Sequence, residues 1–109
     1  LDNVLMAAGK SLDRQTAYSE LCRLLPEEAI LRPSSTLSGG MKRRAAIARA
    51  LLAPSQAIIM DEPFTGLDAA ARDATTKVVL DLLDGRTLLL ATHDVSDAQA
   101  LDISDIITL

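Results

Sequence analysis

Ala57-Ile58-Ile59-Met60-Asp61-Glu62-Pro63 is the stretch whose reading decides the fold. Four apolar residues run without a break and stop at two adjacent carboxylates. An unbroken apolar run of this kind predicts a parallel strand buried on both faces. Acids at its carboxyl end then fall where open α/β sheets place ligands, just past the strand ends. Neighbouring side chains on an extended backbone point to opposite sides, so Asp61 and Glu62 are expected to divide two tasks. One can hold a metal while the other faces a reacting water, as phosphoryl transfer requires. The same residues also fit a strand that ends at a solvated Asp-Glu turn closed by Pro63.

Downstream, Phe64-Thr65-Gly66-Leu67-Asp68 reads as a turn, with Asp68 a natural N-cap for a helix over Ala69 to Leu83. Ala71, Ala74, Val78 and Leu82 mark its expected buried stripe, and Asp84-Gly85 breaks it. Arg86 to Thr92 predicts a second buried strand ending at His93-Asp94. A short helix from Val95 to Leu101 and a third strand over Ile106 to Leu109 follow. Strand, helix, strand, helix, strand implies parallel pairing with right-handed crossovers.

Upstream, Pro54 ends a helix that opens at Leu37-Ser38-Gly39-Gly40 and runs through Met41 to Leu52. Its alanine-rich sequence favours helix strongly. Met41, Ala45, Ala48 and Leu52 form one stripe, widened by Ile47 and Leu51, with Lys42 and Arg49 on an outer face. Arg44 falls inside the apolar arc and needs a carboxylate or carbonyl partner there. Before it, Pro26 to Thr36 reads as an irregular connection with a short turn at Glu27 to Ile30. An earlier helix is expected from an N-cap near Ser11, with Asp13 in its first turn. Ala17, Tyr18, Leu21, Leu24 and Leu25 are its stripe, and Pro26 disfavours helix at Leu25. Leu1, Val4, Leu5 and Ala8 predict one more short helix closed by Gly9. The first half therefore reads as helical and the second as α/β.

Composition narrows the function. In 109 residues, 49% are apolar but only 2% aromatic, so aliphatic side chains must fill one small core. The net charge of −4 argues against a general nucleic-acid binder. No apolar run reaches the roughly 18 residues of a spanning helix, and no signal-peptide pattern opens the chain. Cys22 is alone, which fits a reducing compartment, and one His with one Cys excludes a Cys/His zinc site. The chain opens on Leu1 in amphipathic sequence and reads as a fragment.

Ser38-Gly39-Gly40 starts a helix with free backbone N–H groups, which suits a phosphate as well as it suits an ordinary serine cap. His93 follows a strand and falls level with Asp61 and Glu62 if the two strands are neighbours. It can then contact a terminal phosphate or the attacking water, or it is simply a loop residue. Asp68 has a sufficient explanation as a cap.

Together, Leu37-Ser38-Gly39-Gly40, Asp61-Glu62-Pro63, Gly66-Leu67-Asp68 and Thr92-His93-Asp94 stand in the motif order of ATP-binding-cassette ATPases. The resemblance runs over nearly the whole chain and includes Arg44 and Ala48-Arg49-Ala50-Leu51 of the signature helix. It implies an α/β fold: part of a P-loop-NTPase core (three parallel strands with helices) behind a helical signature subdomain. Residues 1–53 would be that subdomain and 54–109 the carboxyl-terminal part of the core. By the resemblance Leu37, Ser38, Gly39, Gly40 and Met41 form the signature motif that meets a partner cassette's ATP. Ile58 to Asp61 is the Walker B strand, with Asp61 on Mg²⁺ and Glu62 the catalytic base. Gly66-Leu67-Asp68 resembles the D-loop, and His93 the switch histidine. The implied partners are a second cassette, packed head to tail, and membrane permease subunits, with no nucleic acid. The implied place is cytoplasmic, peripheral on the inner face of the plasma membrane.

Met41 stands where the family most often has Gln, and members resembling nitrate, sulfonate and taurine importers carry Met there. The nucleotide-gripping P-loop is not found. Gly9-Lys10-Ser11 has the right ending, but the pattern needs a glycine where Val4 stands. The stretch alone is therefore expected to be inactive. Two alternatives stand beside a transporter ATPase: a truncated non-catalytic module that docks on a full cassette, and a chromosome-maintenance or DNA-repair ATPase. Pro63 and the absence of coiled-coil heptads favour the transporter.

Overall fold

The computed structural model describes residues 13–103 and 105–107. The helix expected over Leu1 to Ala8, the Gly9-Lys10-Ser11 stretch and Leu109 lie outside the described residues. Within them, helix α1 spans Arg14–Cys22, and its cap is Asp13 rather than Ser11. The Asp13 carboxylate sits three residues before Thr16 and accepts its N–H at 2.7 Å. Hydrogen bonding from Thr16 holds that carboxyl below the usual carboxylate range. Ala17 and Leu21 are buried on α1. The helix stops at Cys22, but Leu24 and Leu25 stay in the core because both N–H groups turn back to the Leu21 carbonyl. Glu27–Ile30 forms the one-turn helix α2, and a 3₁₀ turn follows at Ser34–Thr36.

Helix α3 spans Gly39–Leu52 and buries Ile47, Ala48 and Leu51. It ends as the sequence requires, with Ala53 extended before Pro54. Of the carboxylate or carbonyl that its position requires, half-buried Arg44 finds carbonyls, donating to Leu24 O at 2.8 Å and Gly40 O at 3.3 Å. Helix α3 packs on α1, on β1 (Ala57–Asp61) and on α4 (Ala69–Leu83). β1 pairs in parallel with β2 (Thr87–Ala91), Ala57 opposite Thr87 and Asp61 opposite Ala91.

Burial on both strand faces does not occur among the described residues. Ile58 and Met60 point into the core, whereas Ile59 is 73% exposed beside its register partner Leu89 at 63%. An apolar run states that both faces tolerate burial, and the described helices cover one of them. On α4 the inward face is Thr75, Thr76, Val78 and Val79, turned from the expected stripe. Both threonines can be buried because their hydroxyls donate to the carbonyls of Ala71 and Arg72, one turn back. Helix α4 ends at Asp84 and Gly85, both left-handed with φ of 49° and 76°. Arg86 then fans over the ends of α3 and α4, donating to the carbonyls of Leu51 at 2.6 Å and Leu82 at 2.7 Å. Helix α5 spans Val95–Ala100. No strand forms at Ile106 and Ile107, which are exposed, so the third expected strand is absent from the described residues.

Candidate functional site

The two strands end level, and the chain beyond each is tied to the other. Glu62 N–H donates to Ala91 O at 2.8 Å, continuing the ladder one residue past β1. Glu62 then leaves the strand with φ 49°, a left-handed conformation that costs a non-glycine residue about 1–3 kcal/mol. Its carboxylate meets His93: Oε1 accepts from the His93 N–H at 3.1 Å and lies 2.5 Å from ring Nδ1. The Glu62 side chain is half-buried and that of His93 exposed. With Nδ1 committed to the carboxylate, Nε2 is the ring atom left for another partner.

Asp61, the last residue of β1, is exposed. Adjacent in sequence, the two acids stand in different surroundings. A lone exposed carboxylate suits Mg²⁺, which keeps several waters and takes one or two carboxylates beside phosphate oxygens. Among the described residues no three His, Cys, Asp or Glu side chains converge as a protein cage for a metal.

A second grouping forms at the start of α3. Ser38 is its N-cap, with Oγ accepting from Met41 N–H at 3.2 Å. The N–H groups of Gly39 and Gly40 have no acceptor a turn earlier in the helix. A Cβ added at Gly40 would touch Leu67 at 3.5 Å and the Gly66 carbonyl at 3.6 Å, so the helix start adjoins the turn before Asp68. Leu37 and Met41 are half-buried. Asp68 caps α4, accepting from Ala71 N–H at 2.7 Å. The chain therefore brings Glu62 to His93, and Gly40 to the Gly66-Leu67 turn.

Sequence reasoning missed the residues that brace the strand ends around Glu62 and His93. Arg43 Nη1 donates to the Glu62 carbonyl at 2.6 Å. Arg72 pairs with Asp97, donates to Ser96 Oγ at 2.8 Å and lies 5.8 Å from the Phe64 ring centre. Asp97 also accepts from Thr92 Oγ1 at 2.7 Å. Asp94 caps α5, and hydrogen bonds from the Ser96 hydroxyl and N–H hold its carboxyl below the usual range. The signal that could have found Asp97 is an acid in the first turn of the short helix that follows His93.

A profile of the family described as ABC transporter matches residues 6–65. An ABC transporter ATP-binding protein of Haemophilus influenzae, itself uncharacterized, is 35% identical over 106 residues, covering 93% of this chain and 44% of its own length. The chain belongs to the ABC transporter family. The thiamine import ATP-binding protein ThiQ of Haemophilus ducreyi is 42% identical over 68% of this chain and 36% of its own length. The Nod factor export ATP-binding protein I of Rhizobium etli is 48% identical over 62% of this chain and 22% of its own length. The chain thus spans less than half the length of these curated relatives. Parallel strands with flanking helices agree with a partial P-loop-NTPase fold of the ABC type. No helix among the described residues is long and apolar enough to cross a membrane. The DNA-repair alternative finds no support in these likenesses.

Proposed function

We propose that this chain is part of the ATP-binding and ATP-hydrolysing subunit of an ABC transporter. The observation that carries the reading is the contact of Glu62 Oε1 with His93 Nδ1 at the adjoining ends of two parallel strands. Glu62 is the general base that takes a proton from the attacking water. His93 orients that carboxylate and reaches the terminal phosphate. Asp61 holds Mg²⁺, which when bound neutralises charge on the phosphate oxygens.

Leu37, Ser38, Gly39, Gly40 and Met41 serve the nucleotide of a second cassette packed head to tail, and Asp68 stands at that interface. Among the described residues a Cβ at Gly39 would meet nothing within 4 Å and one at Gly40 only ordinary contacts, so their packing does not demand glycine there. Close approach of a phosphate does. Residues 1–53 act as the helical subdomain and 54–109 as part of the core. The subunit works at the cytoplasmic face of the plasma membrane through permease subunits, without nucleic acid. Import is the finer reading, carried by Met41 and in keeping with the thiamine-import relative; the Nod-factor-export likeness favours export as the second. The 109-residue stretch by itself should bind Mg-ATP weakly, since Gly9-Lys10-Ser11 does not complete a phosphate-gripping loop.

The test compares two variants in the ATP-hydrolysing protein that contains this stretch. Glu62→Gln keeps shape but loses proton-accepting capacity, and should lower turnover by roughly 10² to 10⁴ while an ATP-bound dimer accumulates. Asp61→Asn should weaken Mg²⁺ dependence and nucleotide affinity together. Hydrolysis by Glu62→Gln at the parental rate, or a trapped dimer with Asp61→Asn alone, overturns these roles.

A further inference from the structure

Lys42, Arg43 and Arg44 follow one another on α3, yet each meets a different environment. Successive helical residues are turned by about 100°, so three neighbours cannot share one face. Lys42 is exposed, and Arg44 turns back to the Leu24 carbonyl. Arg43 is half-buried and reaches across to the Glu62 carbonyl at 2.6 Å. That oxygen also accepts from Thr65 N–H, but at 3.4 Å. The charged guanidinium supplies the shorter and stronger of the two bonds.

The place of this bond gives it meaning. Glu62 N–H is held by Ala91 O and its carbonyl by Arg43, so the peptide planes on both sides of Glu62 are pinned. Pinning both planes fixes φ and ψ of the residue between them, and with them the direction of its side chain. Arg43 takes the carbonyl and leaves the carboxylate for His93. We infer that Arg43 is a positioning residue, which holds Glu62 in the left-handed conformation that brings its carboxylate to His93. Because Arg43 lies one turn into α3, the helix start at Ser38-Gly39-Gly40 and the Glu62 carboxylate are joined through one rigid element. The consequence for turnover rests on the proposed role of Glu62, whereas the grip itself does not.

The experiment uses nuclear magnetic resonance on the full 109-residue chain, where His93 is the only histidine and its ring signals are unambiguous. In Arg43→Met, the amide signals of Glu62 and His93 and the His93 ring signals should move, and the ring should lose its cross-relaxation to the Glu62 side chain. Arg43→Lys, which still offers a cationic donor, should restore them. A folded Arg43→Met with those signals unmoved overturns the inference. In the unaltered chain, hindered rotation should resolve the two Nη signals of Arg43, while those of exposed Arg49 average; averaging at Arg43 as well overturns it without any variant. In an ATP-hydrolysing protein containing the stretch, Arg43→Met should lower kcat roughly 10-fold or more, with KM for ATP within about threefold. If Glu62→Gln hydrolyses ATP at the parental rate, the role of Glu62 falls while the resonance measurements still decide the grip.

Discussion

The guanidinium of Arg72 pairs with the carboxylate of Asp97, the one acid among the described residues that is buried. The pair joins α4 to α5 and, through Thr92 Oγ1, to the end of β2 beside His93. Removing one partner of a buried ion pair leaves an uncompensated charge, at a cost of about 3–5 kcal/mol. Arg72 keeps 33% of its side chain in solvent, which lowers that figure for loss of Asp97. Asp97→Ala should therefore lose about 2–3 kcal/mol in urea unfolding, and Arg72→Met with Asp97→Ala should lose less than the two single changes added. A single-variant loss under about 0.5 kcal/mol would show that the pair contributes nothing.

Arg86 makes a different kind of joint. Its guanidinium donates to main-chain carbonyls at the ends of both α3 and α4, groups that no helical N–H can satisfy. A cation there also suits the negative end of each helix. Arg86→Met keeps the aliphatic stem but strands those half-buried carbonyls, and should cost about 2–4 kcal/mol. Urea midpoints at unchanged m-value check it. An effect within about 0.5 kcal/mol would mean that water replaces the guanidinium.

Tyr18 gives a pH signature that can be read without a label, since it is the only tyrosine. Its hydroxyl donates to Glu27 Oε1 at 2.7 Å, and this bond, with burial and the nearby negative charge, pushes the phenol up to about 12. The folded value lies above the unfolded one near 10, so the pair's contribution is complete below pH 10 and fades as pH rises through about 12. Ultraviolet titration should give a midpoint near 12 in the folded chain and near 10 in urea. Glu27→Ala should return the folded midpoint toward 10. A wild-type folded midpoint at 10 would mean that the hydrogen bond is not held in solution.

Much of this arrangement is legible along the chain. The apolar runs place β1 and β2, the acids and His93 at their ends follow, and Asp68 and Asp84-Gly85 bound α4 as composition and capping require. Arg44 inside an apolar arc needed a carboxylate or a carbonyl, and it has carbonyls. What local pattern does not carry is the far end of a long side chain. Arg43, Arg72 and Arg86 each have a partner 19 or more residues away, chosen by the packing of elements rather than by their period. Thr75 hides on the buried face because its hydroxyl is satisfied locally, which hydrophobicity alone ranks wrongly. At Ile106 strand propensity meets no neighbouring strand among the described residues, and propensity cannot supply one.

The start of α3 supports the last prediction. Ser38 Oγ accepts from Met41 N–H, but a hydroxyl keeps its own proton to donate. Beside it, Gly39 and Gly40 carry N–H groups without helical acceptors, and the helix dipole favours an anion there. Glu62 and His93 belong to the nucleotide of this chain's own core in the proposed reading, so the α3 start is left for the nucleotide of the partner. Ser38→Ala loses the cap and should cost about 1 kcal/mol of stability, which calibrates the structural part of any change. Ser38→Arg places a long cation at the positive end of the helix and fills the space a phosphate needs. In the ATP-binding protein containing this stretch, it should weaken ATP-driven dimerisation roughly 10-fold or more, as light scattering would show, and leave ATP affinity of the monomer within about threefold. Equal loss of both would place Ser38 in the chain's own site and remove it from the interface.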